Sequence, residues 1–445
     1  MPRQTGKRSS WPLYIAIILL FLAIGLEISL LYKERAKAVV IDTPNRQAIL
    51  SGVSNPGRLI VYSFNGHGYD RDIIETGYTL VHTVIEGDAR NDGKDRIYVG
   101  VSNSYFRQPY GCEVIEYEKA DGEWVKSVVE RVGDVRCKDL TIGDADNDKK
   151  NELILGTHGE GLVNVYKWDS KGNKWIAQNI GRNWIGKIDA ERGTNHRIAR
   201  ENLTYDAIDQ TAVHKVKVGD ADNDGKNELI ATESSSLAYV SGPQISFVNV
   251  YKWNGTGWLV QTIREDKGFQ HRSILIEDVD EDGKNDVVIG TSNGKLIMIK
   301  KSGDSWNESL IDNETLEKNM KGVDYGYLYN TANKSILLAT GFPHAMVYSF
   351  DWNGQAFEKK IIANISSIMS NVVLDLSYNA MEAMLGDVNA DGKNEIVVAG
   401  FGQTSTMGWE ATPFGFLLVY SPEDAEWKPV LLDTYSVLGM DLGNV

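Results

Sequence analysis

One acidic segment recurs along the chain, and its spacing restricts the fold more than any other feature. The first copy runs from Gly87 to Gly100, and the next lie at Gly143–Gly156, Gly219–Thr232, Glu277–Gly290 and Gly386–Ala399. The gap before the last copy is about double the others and leaves room for a worn copy at Val323–Thr340, where Ser335–Thr340 parallels Asp286–Thr291. Each copy is followed by a β-rich run, a polar turn and an aromatic residue that opens another run. Val163–Trp168 with Trp175 and Val248–Trp253 with Trp258 are examples, and Trp124, Trp306, Phe357 and Trp427 fill the same slot. An aromatic that returns in every unit reads as core packing. A further hairpin, Leu59–Phe64 with Tyr69, lies upstream of the first copy. Units of roughly 50 residues with short strands and Asn/Gly turns predict propeller blades.

The chain ends complete the pattern. Gln47–Gly52 reads as a second strand lacking a first, whereas Leu442–Val445 parallels Leu385–Val388, a first strand lacking a second. The expected fold is therefore all-β: a seven-bladed β-propeller over residues 46–445, closed by its C-terminal strand.

Four acidic loops carry oxygen donors at alternate positions. They are Asp144, Asp146, Asp148, Lys150 and Glu152; Asp220, Asp222, Asp224, Lys226 and Glu228; Asp278, Asp280, Asp282, Lys284 and Asp286; and Asp387, Asn389, Asp391, Lys393 and Glu395. Alternate residues of a tight turn can surround one ion, with the lysine position supplying a backbone carbonyl. All-oxygen sets of this size suit Ca²⁺ rather than zinc or copper, which take His or Cys. The EF-hand's acidic twelfth position is missing: Leu155, Ala231, Ile289 and Val398 stand there, and the flanks read as strands. About four structural Ca²⁺ ions are expected. The loop with Asp88 and Asp92 carries Arg90 and Arg96, so a guanidinium replaces the ion there, and the worn copy with Tyr327, Tyr329 and Thr331 is expected to be metal-free.

Residues 11–32 form an apolar stretch long enough to span a bilayer, with Trp11, Tyr14 and Tyr32 near its ends. A cleaved signal peptide is the rival reading, but Lys33 follows Leu30–Tyr32 where a small-x-small site would stand. The expectation is a short tail over 1–10, a transmembrane signal anchor over 11–32, a linker over 33–45 and a propeller outside the cytoplasm. Six Asn-x-Ser/Thr triplets after the span, beginning at Asn202, fit an exterior body. A net charge of −15 argues against nucleic acid as the partner.

The repeated calcium loops resemble the FG-GAP/VCBS-type repeats of integrin α-subunit-like β-propellers, and the resemblance covers residues 46–445. It implies an extracellular binding or adhesion module for a protein or glycan, with calcium as reinforcement. Related propellers also include polysaccharide lyases, so a carbohydrate-active enzyme is the alternative, and a docking subunit of an envelope complex is a third reading. No nucleophile elbow, zincin motif or P-loop occurs, which favours a non-enzyme.

Strand parity puts the acidic loops on one face and the long connections on the other. Tyr105, Phe106, Tyr110, Tyr239 and Trp409 fall in those connections and are the expected partner-binding residues. Cys112 and Cys137, the only cysteines, lie toward the same face, where a disulfide and two buried thiols are both open. His196 with Arg197 and Arg200, and His271 with Arg272, are read as solvated surface charge.

Overall fold

The computed structural model describes residues 47–102, 111–133, 135–158, 161–181, 211–235, 245–313, 318–328, 333–341, 343–372, 376–403, 414–423 and 426–444. The expected span at 11–32 lies outside them, as do Tyr105, Phe106, Tyr110, Tyr239, Trp409 and the His196 group. Among the described residues no helix is long and apolar enough to cross a membrane.

The body is an all-β meander. His271–Glu277, Asp286–Thr291, Lys295–Ser302 and Ser305–Asn313 pair antiparallel in chain order. Gly322–Tyr327 begins a second such sheet and Ser377–Gly386 a third. Arg136–Gly143 and Thr211–Gly219 each lead another run of four strands, and one ladder pair, Ala212↔His158, joins the two runs as a sheet. Burial explains this order. The second strand of each run, such as Glu152–His158 or Asp286–Thr291, is almost wholly buried, while outer strands such as Ser305–Asn313 alternate toward solvent.

The two N-terminal strands are long and serve two partners each. Ala48–Phe64 pairs through Ala48–Val53 with the C-terminal strand Val437–Gly443, and through its later residues with Tyr69–Gly87. Tyr69–Gly87 in turn pairs Arg96–Ser102 through Leu80–Gly87. The two ends of the described chain are therefore joined in one sheet, in the register Ala48↔Gly443 to Gly52↔Gly439.

The core lies between sheets rather than within them. One cluster joins Tyr98 and Val114 to Leu140, Leu153 and Tyr166, with Trp175 packed on its edge; another joins Val216 and Leu229 to Ile154 and Val165, with Trp258 on its edge. The recurring aromatics thus close the seams. Trp168 and Trp175 face each other across their hairpin at 5.2 Å between ring centroids, and Trp253 and Trp258 at 5.4 Å. Cys112 and Cys137 are joined by a disulfide that links two adjacent runs.

Candidate functional site

The innermost strands all enter their acidic loops in the same register, so the same count back from each loop finds equivalent positions. Six residues before Asp88, Asp144, Asp220, Asp278 and Asp387 stand His82, Lys138, His214, Arg272 and Met381; Lys321 and Leu438 hold the place before Tyr327 and Asn444. These side chains meet around one cavity, together with Lys215 and Glu382. A neighbouring cavity of about 120 Å³ adds Arg136, His158 and Gln270.

A β-bulge sets the convergence. Pairing runs Val81↔Val101 then Thr83↔Gly100, which skips His82. Lys138, His214, Arg272, Met381 and Leu438 are skipped in the same way on their own strands. An extra residue breaks the two-residue alternation and lets consecutive side chains face one side. Both His214 and Lys215, and both Met381 and Glu382, therefore line the cavity.

Each imidazole of this group has a basic side chain beside it. Lys138 Nζ lies 3.1 Å from His82 Nε2, Arg136 Nη2 lies 2.8 Å from His158 Nδ1, and Arg272 Nη1 lies 3.3 Å from His214 Nδ1. His214 Nε2 meets Ser234 Oγ at 3.0 Å. Burial, and then the neighbouring cations, push His82 and His214 well below the usual imidazole range. Burial also lowers Lys138 strongly, Lys321 to about 7 and Arg272 to about 10. Lys215 is the exception: Asp139 at 3.2 Å and Glu382 at 2.7 Å outweigh its burial and hold it charged.

His271 and Arg272 are thus not the solvated pair expected from sequence. His271 is fully buried, with Nε2 2.8 Å from Asp266 Oδ2, and Arg272 points into the channel. Further along, the channel widens to about 290 Å³ and becomes mixed in charge, lined by Asp324, Asp441 and Lys217 among others.

The expected metal-binding residues form a separate set. Asp144, Asp146 and Glu152 each bring a carboxylate oxygen within 4.8 Å of the others, as do Asp220, Asp222 and Glu228, and Asp278, Asp280 and Asp282. In each loop the first Asp accepts two backbone N–H bonds, from Asp148 and Lys149, Asp224 and Gly225, or Asp282 and Gly283. Lys150, Lys226 and Lys284 donate their backbone N–H groups to Asp148, Asp224 and Asp282.

Sequence reasoning missed a lysine reaching each of these loops from the third strand. Lys252 Nζ lies 2.8 Å from Asp222, 2.5 Å from Asp224 and 3.3 Å from Glu228. Lys300 meets Asp280, Asp282 and Asp286, and Lys167 meets Asp146, Asp148 and Glu152. Even so, the buried Oδ1 atoms of Asp146, Asp222 and Asp280 keep no hydrogen-bond partner, so the donor set still fits a cation.

Around Asp88 and Asp92 the charges are exchanged. Arg96 holds Asp92 at 2.7 Å and Glu118 at 3.1 Å, and Glu118 stands where other runs have the lysine. The fourth expected loop has Ser421 at that place. There Asp391 and Gly392 cap Asp387, Lys393 N–H donates to Asp391, and Glu395 accepts from Val388 and Asn389.

No family model matches the chain. No curated protein matches it either. Solved structures do share its shape. A protein from Lactobacillus plantarum aligns with a TM-score of 0.54 at 10% identity, covering 89% of this chain and 99% of its own. A Bacteroides fragilis protein provisionally assigned as a 6-phosphogluconolactonase aligns with a TM-score of 0.53 at 12% identity, covering 91% and 99%. A Bacteroides uniformis protein with the same provisional assignment gives 0.50 at 11%, covering 89% and 99%. At these identities the likeness establishes the β-propeller fold.

It also corrects the expected family and role. Two of the neighbours named are provisionally assigned lactonases and none is an integrin-like FG-GAP/VCBS repeat protein, so the readings as an adhesion module and as a non-enzyme are withdrawn with that resemblance. The physical reason is that the acidic loop is a local device. It shapes the turn between two strands and says nothing of the groups that meet in the channel, where a site would lie.

Proposed function

We propose that the chain is a hydrolytic enzyme of lactonase type, working in the cavities where the inner strands of a seven-bladed propeller converge. One observation carries the reading: imidazole, ammonium and guanidinium groups from successive inner strands converge on a buried cavity in a fold shared with provisionally assigned lactonases. Opening a cyclic ester needs a base for water and a positive group for the carbonyl oxygen. The Lys138–His82 pair supplies the base, because burial holds both toward their neutral forms. Arg272 supplies the positive group. Water adds to the carbonyl carbon, the ring C–O bond breaks, and the proton taken from water passes to the leaving alkoxide, giving a hydroxy acid.

Seven equivalent positions, His82 through Leu438, support a count of seven blades; six are skipped by a bulge on their inner strands, and Lys321 stands just before Gly322–Tyr327. We propose also that Ca²⁺ binds the four acidic loops as a structural ion, held by the carboxylates named above. The membrane anchor at 11–32 and an exterior propeller remain part of the same proposal, and protease protection of intact cells tests them.

The enzymatic reading is tested by following acid release from glucono-δ-lactone, 6-phosphogluconolactone and a set of aliphatic and aromatic lactones. Hydrolysis is expected for at least one, with a loss of about 10²–10⁴-fold in kcat for Lys138→Met. No turnover of any lactone, or full activity in that variant, overturns it.

A further inference from the structure

Two lysines of the inner strands stand in opposite surroundings. Lys215 is compensated, with a carboxylate on each side at 3.2 and 2.7 Å. Among the described residues, Lys138 has no carboxylate within ion-pair distance, and its neighbour is an imidazole, His82 Nε2 at 3.1 Å. Burial, and then the charges of Lys321, Arg272, Arg136 and Lys215, press its amine well toward the neutral form. An uncharged lysine amine is a nucleophile.

The space beside it suits the opposite sign. The cavity of about 120 Å³ is walled by Lys138 itself, Arg136, Arg272, Gln270 and the imidazoles of His82, His158 and His214, and no carboxylate lines it. The Nε–H of Arg272 is buried and unpartnered. A buried cation without a counter-charge is costly, and a donor left unmade adds to that cost. The cations that oppose an ammonium on Lys138 would favour an anion in its place.

We propose that Lys138 is a carboxylation site: its amine takes up carbon dioxide, and the resulting carbamate lies in this cavity against Arg136 and Arg272. The lone pair of Nζ attacks the carbon of CO₂, an N–C bond forms, and one C=O π pair moves onto oxygen. The proton lost from Nζ leaves through His82 Nε2 to solvent, and nothing is oxidised or reduced. The group adds one carbon and two oxygens. The larger cavity has room for them, whereas the space of about 20 Å³ where Lys321, Met381 and Leu438 meet does not. Lys138 is only half-buried, which leaves a molecule as small as CO₂ a way to it. The site stands without the lactonase reading. It concerns the amine which that reading uses as a base, and carboxylation takes that amine out of service.

The test is NMR of the full chain carrying nitrogen-15 lysine, equilibrated with carbon-13 bicarbonate in neutral buffer. One carbonyl signal split by a directly bonded lysine nitrogen is expected, because exposed lysines stay protonated at neutral pH and react little. Lys138→Met is expected to remove that signal. Arg136→Met and Arg272→Met keep the amine, and each is expected to raise the bicarbonate concentration for half-labelling about tenfold, because each removes a charged donor.

No split signal from the wild-type chain overturns the proposal, whatever a variant does to folding. An unsplit protein-bound signal means bicarbonate held without a bond, and a split signal that survives in Lys138→Met lies on another lysine; either result also overturns it. Unchanged half-labelling in both arginine variants removes the assigned cavity. Labelling without hydrolysis of any lactone removes the hydrolase and leaves the carbamate standing. Hydrolysis without labelling does the reverse.

Discussion

Lys252 occupies the oxygens proposed for Ca²⁺. The ammonium lies within 3.3 Å of Asp222, Asp224 and Glu228, and a cation held by these groups must move it aside. Lys252→Met is therefore expected to raise calcium affinity at this loop about tenfold, equivalent to about 1.4 kcal/mol, as read by competition with a chelating dye. Unchanged affinity would mean that the lysine never enters the ion's place. Glu233 gives a pH-dependent case. It is wholly buried, receives the Tyr251 hydroxyl, and burial raises its carboxyl to about 8. An acid whose folded pKa lies above its unfolded one favours the folded state while protonated, so stability falls as pH rises from about 4.3 toward 8. Glu233→Gln removes that slope. Its melting temperature should match wild type near pH 5 and exceed it near pH 8, and a gap that does not widen with pH would exclude Glu233 as the cause. The loop lysines were invisible in the repeat because they sit in the third strand, 18 to 28 residues after Asp148, Asp224 and Asp282. Only the fold brings the two together.

At the scale of elements, the acidic loops form a linked belt. Asn147 Oδ1 accepts the N–H of Asn227 at 2.8 Å, Asn147 Nδ2 donates to the Asn227 carbonyl at 3.0 Å, and Asn227 Nδ2 reaches the Asp144 carbonyl at 2.9 Å. Asn91 with Asn151 and Asn223 with Asn285 repeat the clasp. Tyr325 takes over by donating to the Asp278 carbonyl where the worn copy lacks an Asn. Asn147 also sits at φ 62°, a left-handed conformation that Asn tolerates well. Asn147→Gly keeps the backbone and loses the clasp, so it should cost about 1–2 kcal/mol in urea melts. Asn147→Ala adds the left-handed penalty of roughly 1–2 kcal/mol. If Ala and Gly cost the same, strain is not part of the effect. The repeat showed the loops, hairpins and seam-closing aromatics directly, because each is written within one unit. It concealed the channel ring for two reasons. Its members change identity from unit to unit, and six of the seven sit on a bulge that breaks the alternation by which strand faces are read, as at His82 and His214.

For the whole molecule, closure and site are one problem. Val437–Gly443 supplies the partner for Ala48–Val53, and the same strand carries Leu438 into the channel ring and Asp441 to the Glu86 N–H at 2.7 Å. Gly439 lies where an added Cβ would stand 2.6 Å from the Thr83 Cα, so the closing strand seats directly against its neighbour. Removing Ser436–Val445 strips a buried strand of its backbone partners and takes one wall from the channel. The truncated chain is expected to melt well below the full-length protein, and a synthetic peptide of residues 436–445, added in trans, should restore the melting temperature. A truncated chain that melts like the intact one would show that the ends do not close the ring.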